Sequence, residues 1–392
     1  MKSKWPKIIY KEEGMREGMQ IESANIPVDS KIELLDSLSE TGLKWIVVGS
    51  FVSPRYTPQM ACIDEIVKNF HPKPGVKYTA LALNEKGVER ALEYVPPLTL
   101  DIDMFPRLQC HMCDVFTRRN ANRSQFQEIE TWASVIESAV TNNVTEVGIG
   151  LHAAWGSNFL GEFPVDWTMA VLERQHTLWE KAERSVVSVA LGDPMSWCMP
   201  HKVEETLIQI KTRWPDISHF RLHFHNARNM ALASIYAALT VLAPEDTLEL
   251  DGTIGGFGGC PYCGNGQMTG QAPTEDLLHM LEDMGIDTGV DIDRLIESVW
   301  LCEKIVGHEL YGHVSKAGPR PKSFSQLYDI NMPFIETRHH ASHFKFGQEV
   351  YNDSIYPWKA AIESAYYDRL KTGLPVYEVD GDWPWKQAGL LG

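Results

Sequence analysis

The strongest constraint on the fold of this chain is an alternation. Short β-rich runs recur from Lys7 to Leu250, and longer stretches with apolar residues three and four apart separate them. The runs cover Lys7 to Glu12, Trp45 to Gly49, Lys77 to Leu83, Leu108 to Val115, Val144 to Leu151, Val186 to Leu191, His219 to His225 and Thr247 to Leu250. Segments such as SKIELLDSLSETG, NEKGVERALEYV and KVEETLIQIKTRW lie between them. Parallel strands need a long crossover, usually a helix, so eight such units predict an α/β protein of the TIM (β/α)8 barrel class. The fourth run is the least regular, because Pro96, Pro97 and Pro106 crowd its approach. A doubly wound open sheet is the alternative, but no glycine-rich phosphate loop follows the first run.

Composition sets further bounds. The 392 residues, 44% of them hydrophobic, supply ample material for one large core. Against 36 Lys and Arg stand 52 Asp and Glu, a formal charge of -16, so neither nucleic acid nor an anionic membrane is an expected partner. The opening MKSKWPKIIYKEEGM lacks a signal-peptide core, and no stretch reaches the ~18 apolar residues of a membrane span, so a cytoplasmic protein is expected. Seven cysteines in so long a chain fit reduced thiols better than a disulfide framework.

From Val306 the pattern turns aromatic- and His-rich. The expected organisation is therefore a barrel over 1–305 and an appended helical or irregular region over 306–392, serving as a lid or a subunit interface. Within it PWKAAIESAYYDRLKTG reads as a helix.

Active sites of such barrels form where the strands end. His223 and His225 stand two apart in RLHFHNARN, so both imidazoles point to one side of the seventh strand and can reach one metal. On an arbitrary strand such a pair is more often two hydrogen-bonded core histidines. Here the pair ends the strand, and the first strand runs into EEGMREGMQ, which brings Arg16 and Glu17 to the same mouth. One carboxylate with two imidazoles is a common facial set for Mg2+, Mn2+, Zn2+ or Fe2+ that leaves positions open for substrate. Arg16 would otherwise read as half of a solvated surface pair; at a metal site its permanent charge can stabilise a developing enolate or alkoxide.

The eighth strand leads into DGTIGGFGGCPYCGNGQMTGQAPTED, whose many glycines permit a loop that closes over the mouth and carries Cys260 to the substrate. CPYC also matches a disulfide-oxidoreductase spacing, but without the small domain that houses that motif. Cys110 and Cys113, three apart on an expected strand, face opposite sides and read as buried small hydrophobes rather than a zinc knuckle. His339, His340 and His343 read as surface or interface histidines.

Taken together, MREGMQIES, SFVSPRYTPQM, VFTRRNANRS, ALGDP, LHFHN, GGFGGCPY and PTEDLLHMLEDMGIDTG resemble, in order, segments of the HMG-CoA lyase-like family of metal-dependent lyases and Claisen-condensing synthases. The similarity runs from about Ile8 to Val306. It implies a retro-Claisen or retro-aldol cleavage of a 3-hydroxy acid or 3-hydroxyacyl thioester, in which metal binding acidifies the substrate hydroxyl and a general acid protonates the enolate.

By position, the resemblance makes Glu17, His223 and His225 metal ligands, with Gln271 or Asn265 as the fourth. It makes Arg16, Cys260 and His223 catalytic, Cys260 as the proton donor, and makes Gln20, Ser50 and Asp193 substrate-binding. Mg2+ or Mn2+ is the expected metal, with Zn2+ and Fe2+ as alternatives, a CoA thioester is an expected ligand class, and a homodimer is the implied assembly. The chain departs from the family at Glu17 (Asp there), Val47 (Glu), Pro194 (Thr) and Asn226 (Asp). Without the glutamate at position 47, Arg16 must be held by Glu12, Glu13 or a substrate group. The rival functions are a synthase that joins acetyl-CoA to a 2-oxo acid and a non-catalytic barrel scaffold.

Overall fold

The structure is a computed structural model and describes residues 4–55, 57–82, 85–100, 104–264, 270–332 and 360–376. Eight parallel strands form one sheet: β1 (Lys7–Glu12), β2 (Trp45–Ser50), β3 (Lys77–Leu81), β4 (Arg107–His111), β5 (Glu146–His152), β6 (Ser185–Asp193), β7 (His219–Phe224) and β8 (Thr247–Gly252). Their neighbour order is β3-β2-β1-β8-β7-β6-β5-β4. The strands at the two ends of that order follow each other in the chain, the cyclic arrangement of a TIM barrel. At the β3–β4 seam Leu98 bridges to Tyr78, and the Thr99 N–H donates to the Tyr78 carbonyl at 2.7 Å.

The fourth strand starts directly after Pro106 and ends at His111, short of the Val115 expected from sequence. Cys113 is the reason: its Sγ accepts the Phe116 N–H at 3.4 Å and starts the helix Asp114–Ala121. Cys110 and Cys113 thus do not share a strand. Cys110 is buried in the main core and Cys113 in a smaller cluster with Cys260 and Cys263.

Alternation along the strands sorts two faces. Leu108, Ile149, Val189, Leu191, Phe220, Leu222, Leu248 and Leu250 belong to the apolar core shared with the helices. Helix Val28–Ser39 contributes Leu34, Leu35 and Leu38, and helix Val165–Lys181 contributes Met169, Leu172 and Trp179, spacings that keep one helical face against the sheet. The intervening strand positions face into the barrel and are polar or small. Lys11 pairs with Asp251 at 3.2 Å, Arg221 with Glu249 at 3.3 Å, and Arg107 donates to Ser188 Oγ at 3.0 Å. Gly148 and Gly150 on β5 leave the room that the Arg107 side chain takes, since a Cβ at either would stand 2.9 Å from it.

On the outer side of β1, the Tyr10 hydroxyl donates to Thr274 Oγ1 at 2.7 Å, and Thr274 in turn donates to Glu12. Glu12 also accepts the Gly14 and Ile254 N–H groups at 2.7 and 2.9 Å, and Glu275 accepts that of Gly255 at 2.9 Å. Burial pushes Glu12 up to about 7 and Glu275 to about 8 from an ordinary 4.5, with Asp276 adding to the rise at Glu275. A carboxyl whose folded pKa is raised contributes stability in full below its unfolded pKa and loses it as pH climbs through the folded value. Glu275→Gln should therefore gain melting temperature over wild type as pH rises from about 5 to about 9. A constant difference between the two proteins over that window would count against the assignment.

The compact unit that carries the barrel runs from Met1 to Pro319, and a second spans Arg320–Gly392. Residues 306–319, read from sequence as the start of the appended region, belong to the first. The Tyr311 and Gly312 N–H groups donate to the Gly255 carbonyl at 2.8 and 3.1 Å, and Asp276 accepts those of His313 and Val314. Within the second unit, Ser364 caps a helix at Ala365–Lys371, inside the segment read as helical. Among the described residues no helix is long and apolar enough to cross a membrane.

Candidate metal centre

β1 ends at Glu12, and the chain then makes a wide helical turn, Gly14–Gly18, in which the Glu13 carbonyl accepts the N–H groups of Arg16, Glu17 and Gly18. The turn places Arg16 and Glu17 at the C-terminal mouth of the barrel, where β7 delivers His223 and His225. Glu17 Oε1 lies 2.9 Å from His225 Nε2, and Glu17 Oε2 lies 3.9 Å from His223 Nε2. One ligand atom from each of these three residues falls within 4.8 Å of the others, and among the described residues they are the one His/Cys/Asp/Glu group of that kind.

Gln271 joins them. Its Nε2 donates to Glu17 Oε2 at 3.1 Å and stands 3.5 Å from His223 Nδ1. Its Oε1 is buried without a hydrogen bond, as is the Nδ1 of His225. An orphaned buried carbonyl oxygen beside a carboxylate and two imidazoles is an arrangement that a divalent cation satisfies, so this donor set fits one. Asn265, the other candidate for the fourth ligand, lies outside the described residues, as do His339, His340 and His343.

Electrostatics follow from the packing. Burial opposes ionisation of Glu17, but Arg16, His225 and His223 outweigh it and hold the carboxyl well below the usual range. Burial alone would lower His225; the Glu17 carboxylate against it raises the imidazole to about 9. A cation bound there would displace that proton. Arg16 stays charged, gripped by Glu17 and by Glu13 Oε2 at 3.4 Å. Of the carboxylates open as replacements for one at Val47, the structure thus selects Glu13, because Glu12 is engaged with Thr274 and the Ile254 amide.

The loop after β8 packs onto this turn. Gly258 has φ +99°, and a Cβ there would stand 2.7 Å from Gly18 Cα, so this glycine serves a close approach between backbones rather than motion. Gln20 Nε2 donates to the Gly259 carbonyl at 3.3 Å. Cys260 is 8% exposed, in a cluster with Cys263, Met195, Phe163 and Cys113. The adjacent Cys263 side chain, and after it the charge of His225, lower the Cys260 thiol against the opposing effect of burial. Cys263 itself donates to the Pro194 carbonyl at 3.1 Å. Asp193 Oδ2 accepts the Cys198 N–H at 2.6 Å, and its Oδ1 is buried without a hydrogen bond. Ser50 is buried at the end of β2.

The sequence reading did not single out Asp251, which fixes His223 through a 2.8 Å contact between Oδ2 and Nδ1. Asp251 lies near the end of the eighth strand, one residue beyond the Leu250–Leu222 pair, and this lateral register is what brings it to His223. An imidazole that offers one nitrogen to a cation and is oriented through the other by a carboxylate is the expected supporting arrangement.

Fold and site together define a TIM-barrel protein with a Glu-His-His constellation at the strand ends whose donor set fits a divalent cation. The HMGL-like family model matches residues 7–300, and the chain belongs to that family. A hydroxymethylglutaryl-CoA lyase of Bacillus subtilis is 31% identical over 300 residues, 76% of this chain and 93% of the relative. A 3-hydroxy-3-isohexenylglutaryl-CoA/hydroxymethylglutaryl-CoA lyase of Pseudomonas aeruginosa is 32% identical over 314 residues, 79% of this chain and 97% of the other. Among solved structures, an Acinetobacter baumannii HMG-CoA lyase in complex with coenzyme A and 3-methylmalate superposes with a TM-score of 0.64 at 26% identity, covering 83% of this chain and 98% of that one.

Proposed function

We propose that the protein is a divalent-metal-dependent carbon–carbon lyase that cleaves a 3-hydroxyacyl thioester or 3-hydroxy acid. The observation that carries this reading is the convergence of Glu17, His223, His225 and Gln271, with Arg16 against Glu17, at the mouth of an HMGL-like barrel. Those four residues would hold the metal, Mg2+ or Mn2+ before Zn2+ or Fe2+, and it would supply Lewis acidity to the substrate's hydroxyl and carbonyl oxygens.

The chain's own groups divide the remaining work. Asp193, with its unpartnered Oδ1, accepts the hydrogen bond of the substrate's 3-hydroxyl and takes its proton as the carbon–carbon bond opens and the new carbonyl forms. Arg16 offers a permanent positive charge to the enolate oxygen as the carbon–carbon bond opens. Cys260 Sγ gives its proton to the enolate carbon, and the packed 253–264 segment keeps water from competing. The relatives described above are named for cleavage, which favours this direction over condensation. A homodimer in the cytoplasm completes the reading.

The test is product detection by mass spectrometry after incubation with HMG-CoA, related 3-hydroxyacyl-CoAs and free 3-hydroxy acids, with Mn2+ or Mg2+ and with chelator. Metal-dependent release of an acetyl-CoA-type fragment, abolished by chelator, is the expected outcome. Cleavage that persists after complete metal removal would sink the mechanism, and a purified protein that neither contains nor takes up metal would favour a scaffold.

A further inference from the structure

The strand register continues the site beyond its candidate ligands. His223 on β7 pairs with Gly192 on β6, Gly192 with His152 on β5, and His152 with His111 on β4. Residues in lateral register on parallel strands point to the same side, so His152 and His111 share the inner face that carries His223. The strand between them is bare at this level. A Cβ at Gly192 would stand 2.5 Å from His152 Nδ1, so the His152 ring leans across the glycine toward His223 with its Nδ1 edge leading.

The other edge of the ring is tied down. His152 Nε2 meets Gln109 Oε1 at 3.3 Å, which makes Nε2 the protonated nitrogen and leaves Nδ1 an acceptor. Among the described residues no hydrogen bond reaches Nδ1. The ring stacks on His111 at 4.8 Å between centroids and 27° between planes. His111 is clamped in turn by Glu128, which accepts its backbone N–H at 2.8 Å and meets its Nδ1 at 2.9 Å. Burial, with smaller contributions from His111, His223, Arg221 and Arg107, keeps His152 well below the ordinary histidine range, and so neutral. The ring is half-buried and held from behind, with an open acceptor in front.

In a ring of eight strands the fifth stands opposite the first. His152 therefore faces, across the mouth, the turn that carries Arg16 and Glu17. We propose that His152 is a specificity-determining residue whose Nδ1 accepts a hydrogen bond from a hydroxyl on the substrate's acyl portion, distinct from the hydroxyl at the reacting carbon. This rests on the lyase reading for the word substrate, but its geometry is independent of the cleavage step. The preferred substrate is then a 3-hydroxyacyl compound with a second hydroxyl, and Glu128 and His111 are positioning residues that hold the reader still.

The experiment compares two probes, HMG-CoA and its analogue with a hydroxymethyl group in place of the 3-methyl, bound in competition to the Mn2+-loaded protein, with cleavage followed separately. Wild type should favour the hydroxymethyl probe about tenfold in Kd, the order expected of one satisfied hydrogen bond. His152→Phe keeps a ring to stack on His111 but has no acceptor, and should abolish the preference. His152→Gln restores an acceptor and should recover part of it. Equal binding of the two probes by wild type, or an undiminished preference in His152→Phe, would overturn the inference. So would loss of bound Mn2+ in both variants, which would make His152 a support of the metal centre. A wild-type preference without cleavage of either probe would instead refute the lyase reading and leave the role of His152 standing.

Discussion

His223→Ala should strip the protein of metal-dependent turnover, with a loss on the order of 10³-fold, because several kcal/mol of charge stabilisation leave with the cation. Metal content measured on the purified variant should fall in parallel. The neighbours explain why nothing substitutes: Asp251, now without its imidazole, is already engaged by Lys11 at 3.2 Å and Arg221 at 3.6 Å, and Gln271 is committed to Glu17. Asp251→Asn should show the milder form of the defect. It keeps the imidazole but loosens its orientation, so metal affinity should fall about 10- to 100-fold. Full activity in His223→Ala would remove this residue from the centre altogether.

Cys260→Ser should behave differently. A hydroxyl is a far weaker acid than a thiol lowered by its neighbour, so turnover should drop by about 10²- to 10⁴-fold while metal stays bound. The distinction lies in geometry. Cys260 packs in the cluster of Cys263, Met195 and Phe163, next to the ligand group and not within it. Metal lost together with activity would make the sulfur a ligand, and unchanged turnover would make it a packing residue. Because the adjacent Cys263 side chain lowers the Cys260 thiol, Cys263→Ala should raise the Cys260 pKa, measurable as a shift of the alkylation rate profile to higher pH.

Much of this could be read before any coordinates. The first strand occupies the residues expected of it, Lys7–Glu12, because a short apolar run bounded by charged residues is a local signal of a strand. The H-x-H spacing put both imidazoles on one side of β7, and the end of the first strand brought Arg16 and Glu17 to the same mouth. The fourth strand was drawn too long because the capping role of Cys113 is not visible in apolar content. The glycines after β8 suggested movement, whereas Gly258 is there to let two backbones touch, a distinction that composition does not carry.

By itself, the sequence determined the barrel, its eight strands and the side-chain types that converge at their ends, since these follow from periodicity and from where strands stop. Only the tertiary structure decided which carboxylate grips Arg16, that Asp251 orients His223, and that Gly192 lets His152 lean toward the site. The last two depend on register between strands far apart in the chain. A lateral pairing sets which side chains meet, and no local pattern of residues encodes it.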